Sequence, residues 1–255
     1  MSGSNVICVV TVLLETGMLG RGEPDPRVVI DTPAGLVTAR TRCRNGKCEQ
    51  VTLEMPAAFV AAAGVVAEVE GFGRVEADIA FGGEFYVLIP ASAIGLTIEP
   101  GNAHLLARAG FTIQKAFADA MEVQHPTVAE LNRITNIMFY EELDNLEVRT
   151  CTTGMTGRVD RSPCGTGSTA YMALLKERGR IEAGERLVSR SIIDSRFELG
   201  FTSETTLAEV PAILCTVSGQ AWIYGIEQLG LDPTDPFARG FVLSDTWGER
   251  ARMLI

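Results

Sequence analysis

The sequence lacks the marks of several large functional classes. It has no block of Lys and Arg, and 22 basic against 32 acidic side chains leave a formal charge of −10. An acidic surface of that kind argues against nucleic acid and against anionic membrane as partners. No stretch approaches the roughly 18 apolar residues of a spanning helix. The apolar run at residues 6–14 is as long as a signal-peptide core, but no basic segment precedes it, and Glu15-Thr16-Gly17 is not a small-residue cleavage site. Cysteine is sparse: six in 255 residues, at Cys8, Cys43, Cys48, Cys151, Cys164 and Cys215. That excludes a disulfide-stapled miniprotein and fits a reduced, cytoplasmic protein. Histidine is scarcer still. His104 and His125 lie well apart, and no second Cys or His pair joins Cys43 and Cys48 at zinc-ligand spacing. Low-complexity segments and flexible linkers are also missing, and with 46% hydrophobic residues the chain suits one large domain or two small ones.

What is present concentrates at residues 160–168, Asp-Arg-Ser-Pro-Cys-Gly-Thr-Gly-Ser, ahead of a helical-looking segment. A turn of Pro and small residues delivers Cys164 to the mouth of that helix. Backbone N–H groups there are unpaired and carry the positive end of the helix dipole. A thiol so placed has its thiolate favoured, and a carboxylate can dock on the same N–H groups. The pattern points to chemistry beside a carboxylate.

The remaining chain reads as antiparallel strands with a few helices. Strands are expected at residues 27–30, 34–42 and 48–53, with Asn45-Gly46 as a two-residue hairpin turn that sets Cys43 opposite Cys48. That pair reads as two small, half-buried cross-strand residues rather than a disulfide or half a zinc site. Residues 56–66 read as a connection with a short helix, 67–79 and 85–89 as strands, and 103–121 as a long amphipathic helix behind Pro100-Gly101-Asn102. Further strands are expected at 137–140, 146–150, 186–193, 197–201, 212–217 and 220–226, then a loop from 229. Cys8, Cys151 and Cys215 read as packing residues, and His125 as a loop histidine.

The β-branched run at residues 6–14 is ambiguous between strand and helix by periodicity. An internal repeat decides it. Laid without gaps on residues 164–179, residues 2–17 place Ser2 on Cys164, Gly3 on Gly165, Ser4 on Thr166, Leu13 on Leu175, Glu15 on Glu177 and Gly17 on Gly179. Both segments precede a meander of strands. Two similar halves are therefore expected, facing each other across a pseudo-twofold axis, with Ser2 and Cys164 flanking one ligand. The second helix follows strands and a long helix while the first follows one methionine, so the first half reads as shortened at its N-terminus.

At these residues the chain resembles a known family. Residues 160–167 resemble the C-terminal active-site signature of the proline racemase family, and Met1-Ser2-Gly3-Ser4 its N-terminal Met-Cys-Gly-His motif, with Ser for Cys and Ser for His. Asp31-Thr32-Pro33-Ala34-Gly35, Phe81-Gly82-Gly83-Glu84-Phe85-Tyr86 and Asp245-Thr246-Trp247 resemble further family landmarks. The resemblance implies an α+β fold similar to diaminopimelate epimerase: two domains, each a mostly antiparallel sheet wrapped on a central helix. The boundaries would be 1–58 plus 236–255 for a truncated first domain and 59–235 for the second. It also implies no cofactor, a proline or hydroxyproline substrate, and leaves a homodimer open. By matched position, Cys164 and Ser2 are the catalytic acid/base pair; Gly3, Ser4, Gly165 and Thr166 bind the substrate carboxylate, and Asp160 binds the ring ammonium.

A Cys–Ser pair is unequal, since a serine hydroxyl is a far weaker acid than a thiol and its alkoxide cannot persist unaided. Racemisation wants interchangeable partners, whereas dehydrating a 3-hydroxyproline wants one base at Cα and one donor near the departing hydroxyl. The inequality therefore favours trans-3-hydroxy-L-proline dehydratase, giving Δ1-pyrroline-2-carboxylate, with 4-hydroxyproline 2-epimerase or proline racemase as the alternative. An inactive fragment or imino-acid-binding protein is the non-enzyme reading. Ser2 as a plain N-cap, Asp160 as a turn acceptor and a supporting role for Glu84 near the cleft stand beside these assignments.

Overall fold

A computed structural model describes residues 2–19, 25–32, 35–144, 146–154 and 157–240. In chain order the elements are α1 (Gly3–Glu15), β1 (Arg27–Thr32), β2 (Gly35–Arg44), β3 (Lys47–Glu54), β4 (Phe59–Val69), β5 (Gly73–Phe81), β6 (Phe85–Pro90), α2 (Ala103–Ala120), β7 (Ile134–Asp144), β8 (Glu147–Gly154), α3 (Gly165–Glu177), β9 (Arg186–Arg190), β10 (Arg196–Leu207) and β11 (Val210–Gly219). Short 3₁₀ turns at Ala91–Ile94 and Pro100–Asn102 lead into α2. Residues 6–14 are helical, as the repeat requires. Helices α1 and α3 have the same length and a constant offset, and each is followed by a left-handed glycine, Gly17 or Gly179.

All eleven described strands join one sheet in the order β1-β2-β3-β11-β10-β9-β8-β7-β6-β5-β4. Pairing is antiparallel except at β6–β7 and β8–β9, the two places where a helix crosses over between neighbouring strands. Both crossovers step the same way along the sheet, but β7 and β8 are antiparallel. Right-handed connections therefore set α2 and α3 on opposite faces. The packing agrees: Leu106, Ile113 and Phe117 of α2 belong to one core, Ala170 to Leu175 of α3 to another.

The strands from β11 to β4 curl around α3. Ala58 and Ile213 nearly close the ring by exchanging backbone bonds of 2.9 and 2.8 Å. Every residue from Gly165 to Leu175 is consequently buried, which suits a helix with apolar or small residues on all sides. Helix α1 rests on β3 and β11 and buries only Gly3, Val6, Ile7, Val10 and Thr11. The Asn45-Gly46 turn has both residues at positive φ and pairs Cys43 with Cys48; both thiols are free.

Two expected elements differ. Residues 59–66 belong to strand β4 and not to a connection with a helix, because pairing with β5 along Phe59–Val69 overrides the helix preference of its alanines. Residues 220–226 form no strand. Their alternating Trp222, Tyr224 and Ile226 are exposed, without a neighbouring strand among the described residues. Residues 1, 33–34 and 241–255, including Asp245-Thr246-Trp247, lie outside the described residues. No described helix is long and apolar enough to cross a membrane.

Candidate active site

The mouths of α1 and α3 meet. A Cβ built on Gly3 would lie 3.7 Å from Cα of Gly165, and one built on Gly165 lies 3.7 Å from Cα of Gly3. The closeness is reciprocal, as a twofold relation demands. Two sets of helix N-terminal amides thus open on one cavity of about 680 Å³. All seven residues expected at the site line it: Ser2, Gly3, Ser4, Asp160, Cys164, Gly165 and Thr166.

The turn that presents Cys164 is built by short polar side chains. Asp160 accepts from Ser162 N–H at 2.8 Å and from Ser162 Oγ–H at 3.0 Å, and Ser162 Oγ in turn accepts from the amide of Cys164 at 3.1 Å. The carbonyl of Pro163 accepts from Thr150 Oγ1 at 3.0 Å and Ser168 Oγ at 2.8 Å. Asp160 therefore acts as a turn acceptor while also facing the cavity. Cys164 itself has φ 60° and ψ 99°. A side chain in that left-handed region is strained, and the surrounding hydrogen bonds hold it there.

The thiol differs from expectation in one respect. A helix mouth should lower its pKa; instead, burial and the nearby Asp160 carboxylate push it up, only partly opposed by donation from Tyr86 and the Gly167 amide. Removing sulfur from water outweighs the helix amides because a thiolate, unlike a thiol, loses hydration that few groups replace.

Ser2 does not cap its own helix. Its carbonyl accepts from Val6 N–H at 3.1 Å, but its hydroxyl makes no capping bond and lies 3.3 Å from Ser4 Oγ. It is exposed at the cavity. Cys8, expected in the core, is exposed and lines the same cavity, because among the described residues no strands enclose the matching face of α1 as they do α3. Cys151 and Cys215 are buried as packing residues, and His125 is a buried loop residue against Phe59 and Phe81.

Several lining residues were not assigned a role from sequence: Tyr86, Asn136, Thr152 and Arg158. Tyr86 and Glu84 come from the Phe81–Tyr86 landmark, so a signal existed. Gly82 of that landmark packs on the first turn of α3, bringing β6 beside Cys164. Tyr86 Oη lies 2.6 Å from Thr166 Oγ1 and 3.4 Å from Cys164 Sγ. Glu84 accepts from Thr135 Oγ1 at 2.9 Å and from Asn136 Nδ2. Thr152 Oγ1 is buried and makes no hydrogen bond of ordinary geometry, but its hydroxyl helps to lower the pKa of Cys164. These polar groups are contributed by strands distant in sequence, which is why periodicity could not collect them.

Known proteins share this arrangement of elements. The proline racemase family model matches residues 1–242. The chain is 45% identical over 253 residues to the 4-hydroxyproline 2-epimerase of Allorhizobium ampelinum, covering 99% of this chain and 73% of that protein. It is 43% identical over 250 residues to the 4-hydroxyproline 2-epimerase of Agrobacterium fabrum, covering 98% and 72%. A solved hydroxyproline epimerase from Agrobacterium vitis, with bound trans-4-OH-L-proline, superposes with a TM-score of 0.88 at 45% identity, covering 99% of this chain and 73% of that one. A PhzF-family phenazine biosynthesis protein of Bacillus anthracis, at 15% identity and a TM-score of 0.53, covers 86% of this chain and 73% of its own and shares the fold alone. With these matches, the two helix mouths and the Cys164 signature, the chain belongs to the proline racemase family.

Proposed function

We propose that this protein is a 4-hydroxyproline 2-epimerase, performing cofactor-independent acid/base chemistry at the Cα of the imino acid. The observation that carries this reading is 42–45% identity, over 98–99% of the chain, to four 4-hydroxyproline 2-epimerases. It replaces the dehydratase favoured by the unequal Ser–Cys pair alone.

In this reading the substrate carboxylate docks on the amides of Gly3, Ser4, Gly165 and Thr166 at the joined helix mouths. Asp160 takes the ring ammonium. Cys164 and Ser2 address opposite faces of Cα. The Cys164 thiolate removes the Cα proton, and the charge that spreads into the carboxylate is opposed by amides already pointed at it. Ser2 gives its hydroxyl proton to the other face and regains one from solvent, to which it is exposed, while the Cys164 thiol returns the proton it took to solvent through the cavity it lines. The reverse reaction exchanges the roles. Burial pushes the Cys164 thiol up in pKa, which makes its thiolate, once formed, a stronger base toward the Cα proton.

Incubation with trans-4-hydroxy-L-proline in D₂O tests the reading. Deuterium at Cα with inversion is expected. The serine at position 2 still favours a second reading, and formation of a cyclic imine from trans-3-hydroxy-L-proline with 4-hydroxyproline untouched would establish the dehydratase instead. Saturable binding without turnover of either substrate would make the protein a binder.

A further inference from the structure

Tyr86 is 2% exposed, yet it lines the cavity. A phenol has one proton to give and can also accept. Its contact with Thr166 Oγ1 is 2.6 Å, and its contact with Cys164 Sγ is 3.4 Å. If Thr166 donates into the short contact, the phenolic proton is left for sulfur, which suits the longer distance of a bond to that larger atom. The Gly167 amide supplies a second donor to Cys164 Sγ, also at 3.4 Å. Gly167 keeps this route open. A Cβ there would lie 3.2 Å from both Tyr86 Cε1 and Cys164 Sγ and 2.9 Å from Met138 Sδ.

We propose that Tyr86 is a positioning residue: held by Thr166, it donates its phenolic proton to the Cys164 thiolate and aims that sulfur at the cavity. Burial, with the neighbouring Cys164 and Glu84, raises the phenol's own pKa well above its ordinary value. It therefore stays protonated, a donor rather than a competing base, while the thiol titrates. The functional consequence rests on Cys164 being the base of the proposed epimerase; the hydrogen bond itself can be tested without substrate.

The test is the pH dependence of iodoacetamide alkylation at Cys164, followed by peptide-resolved mass spectrometry so that exposed Cys8 does not interfere. In Tyr86→Phe the alkylation midpoint is expected to rise by about one pH unit, and the rising limb of kcat/KM to move with it. Site-specific 3-fluorotyrosine at position 86, a more acidic donor in nearly the same volume, is expected to lower the midpoint. A merely structural ring would alter melting temperature without producing opposite shifts. An unmoved midpoint in folded Tyr86→Phe, or in the fluorotyrosine protein should the first not fold, overturns the proposal. Shifted midpoints in a protein that epimerises nothing would instead sink the epimerase reading and leave the donor in place.

Discussion

The substitution Gly82→Ala tests how the site is assembled. A Cβ at Gly82 would lie 2.1 Å from the Thr166 carbonyl oxygen and 2.5 Å from the Ala170 amide nitrogen. Those two atoms are the acceptor and donor of an i→i−4 bond in the first turns of α3, so the methyl group would wedge into a helix hydrogen bond. Both contacts are far inside the 3.4 Å at which ordinary Cβ packing begins, and both atoms are backbone, which cannot rotate away. Either α3 moves, with the Gly165 and Thr166 amides, or the loop carrying Glu84 and the start of β6 with Tyr86 does. Overpacking costs about 1–3 kcal/mol, and the rigid partners put this case at roughly 3 kcal/mol or more. At about 2–4 °C per kcal/mol for a chain of this size, the melting temperature should fall by roughly 6–12 °C. A displacement of about 1 Å at the reacting groups should cost on the order of 100-fold in kcat/KM. Calorimetry and polarimetry on the variant measure both. Gly101→Ala is the control, because nothing lies within 4 Å of its Cβ. If Gly82→Ala melts and turns over like Gly101→Ala, the close packing of the landmark loop on α3 is wrong.

Three further outcomes are expected. Cys164→Ser should lose at least about 10³-fold in kcat while its near-ultraviolet circular dichroism stays that of the parent; substantial retained turnover would place the base elsewhere. Burial pushes the thiols of Cys151 and Cys215 from 9.0 to about 12, so the folded state favours their protonated forms. That stability is fully present below the unfolded value and is lost as pH rises through the folded one, by about 2 kcal/mol per thiol near pH 10.5. Urea midpoints should drop between pH 8 and that value, and Cys215→Ala should remove part of the drop; equal slopes would refute it. Arg178→Met should cost about 1–3 kcal/mol, because it leaves the buried Asp78 carboxylate, now 2.7 Å from the guanidinium, with only the Gly64 amide as a hydrogen-bond donor among the described residues. The Arg178 side chain is 40% exposed, so the loss should sit in the lower part of that range, and an unchanged urea midpoint would show that the pair is inert.

The repeat of residues 2–17 on 164–179 made both central helices, their matched ends and the shared cavity legible in the sequence alone. Local chemistry sufficed: small residues at a helix start, glycine past its end, and Asn45-Gly46 in a hairpin are choices the backbone makes over a few residues. Periodicity failed where pairing decided. Residues 59–66 carry alanines that could be helical, and only β5 alongside makes them a strand. Residues 220–226 alternate like a strand, yet the backbone hydrogen bonds that would make them one require a partner.

The site divides the same way. Cys164, Ser2 and the glycines beside them were determined by the sequence, since a helix mouth carries its own donors wherever it is placed. The tertiary structure decided the rest. It brought Gly3 and Gly165 into contact, placed Tyr86 on the sulfur and left Cys8 exposed on α1. It also reversed the expected direction of the thiol's pKa, because desolvation depends on everything packed around the atom and not on its neighbours in the chain.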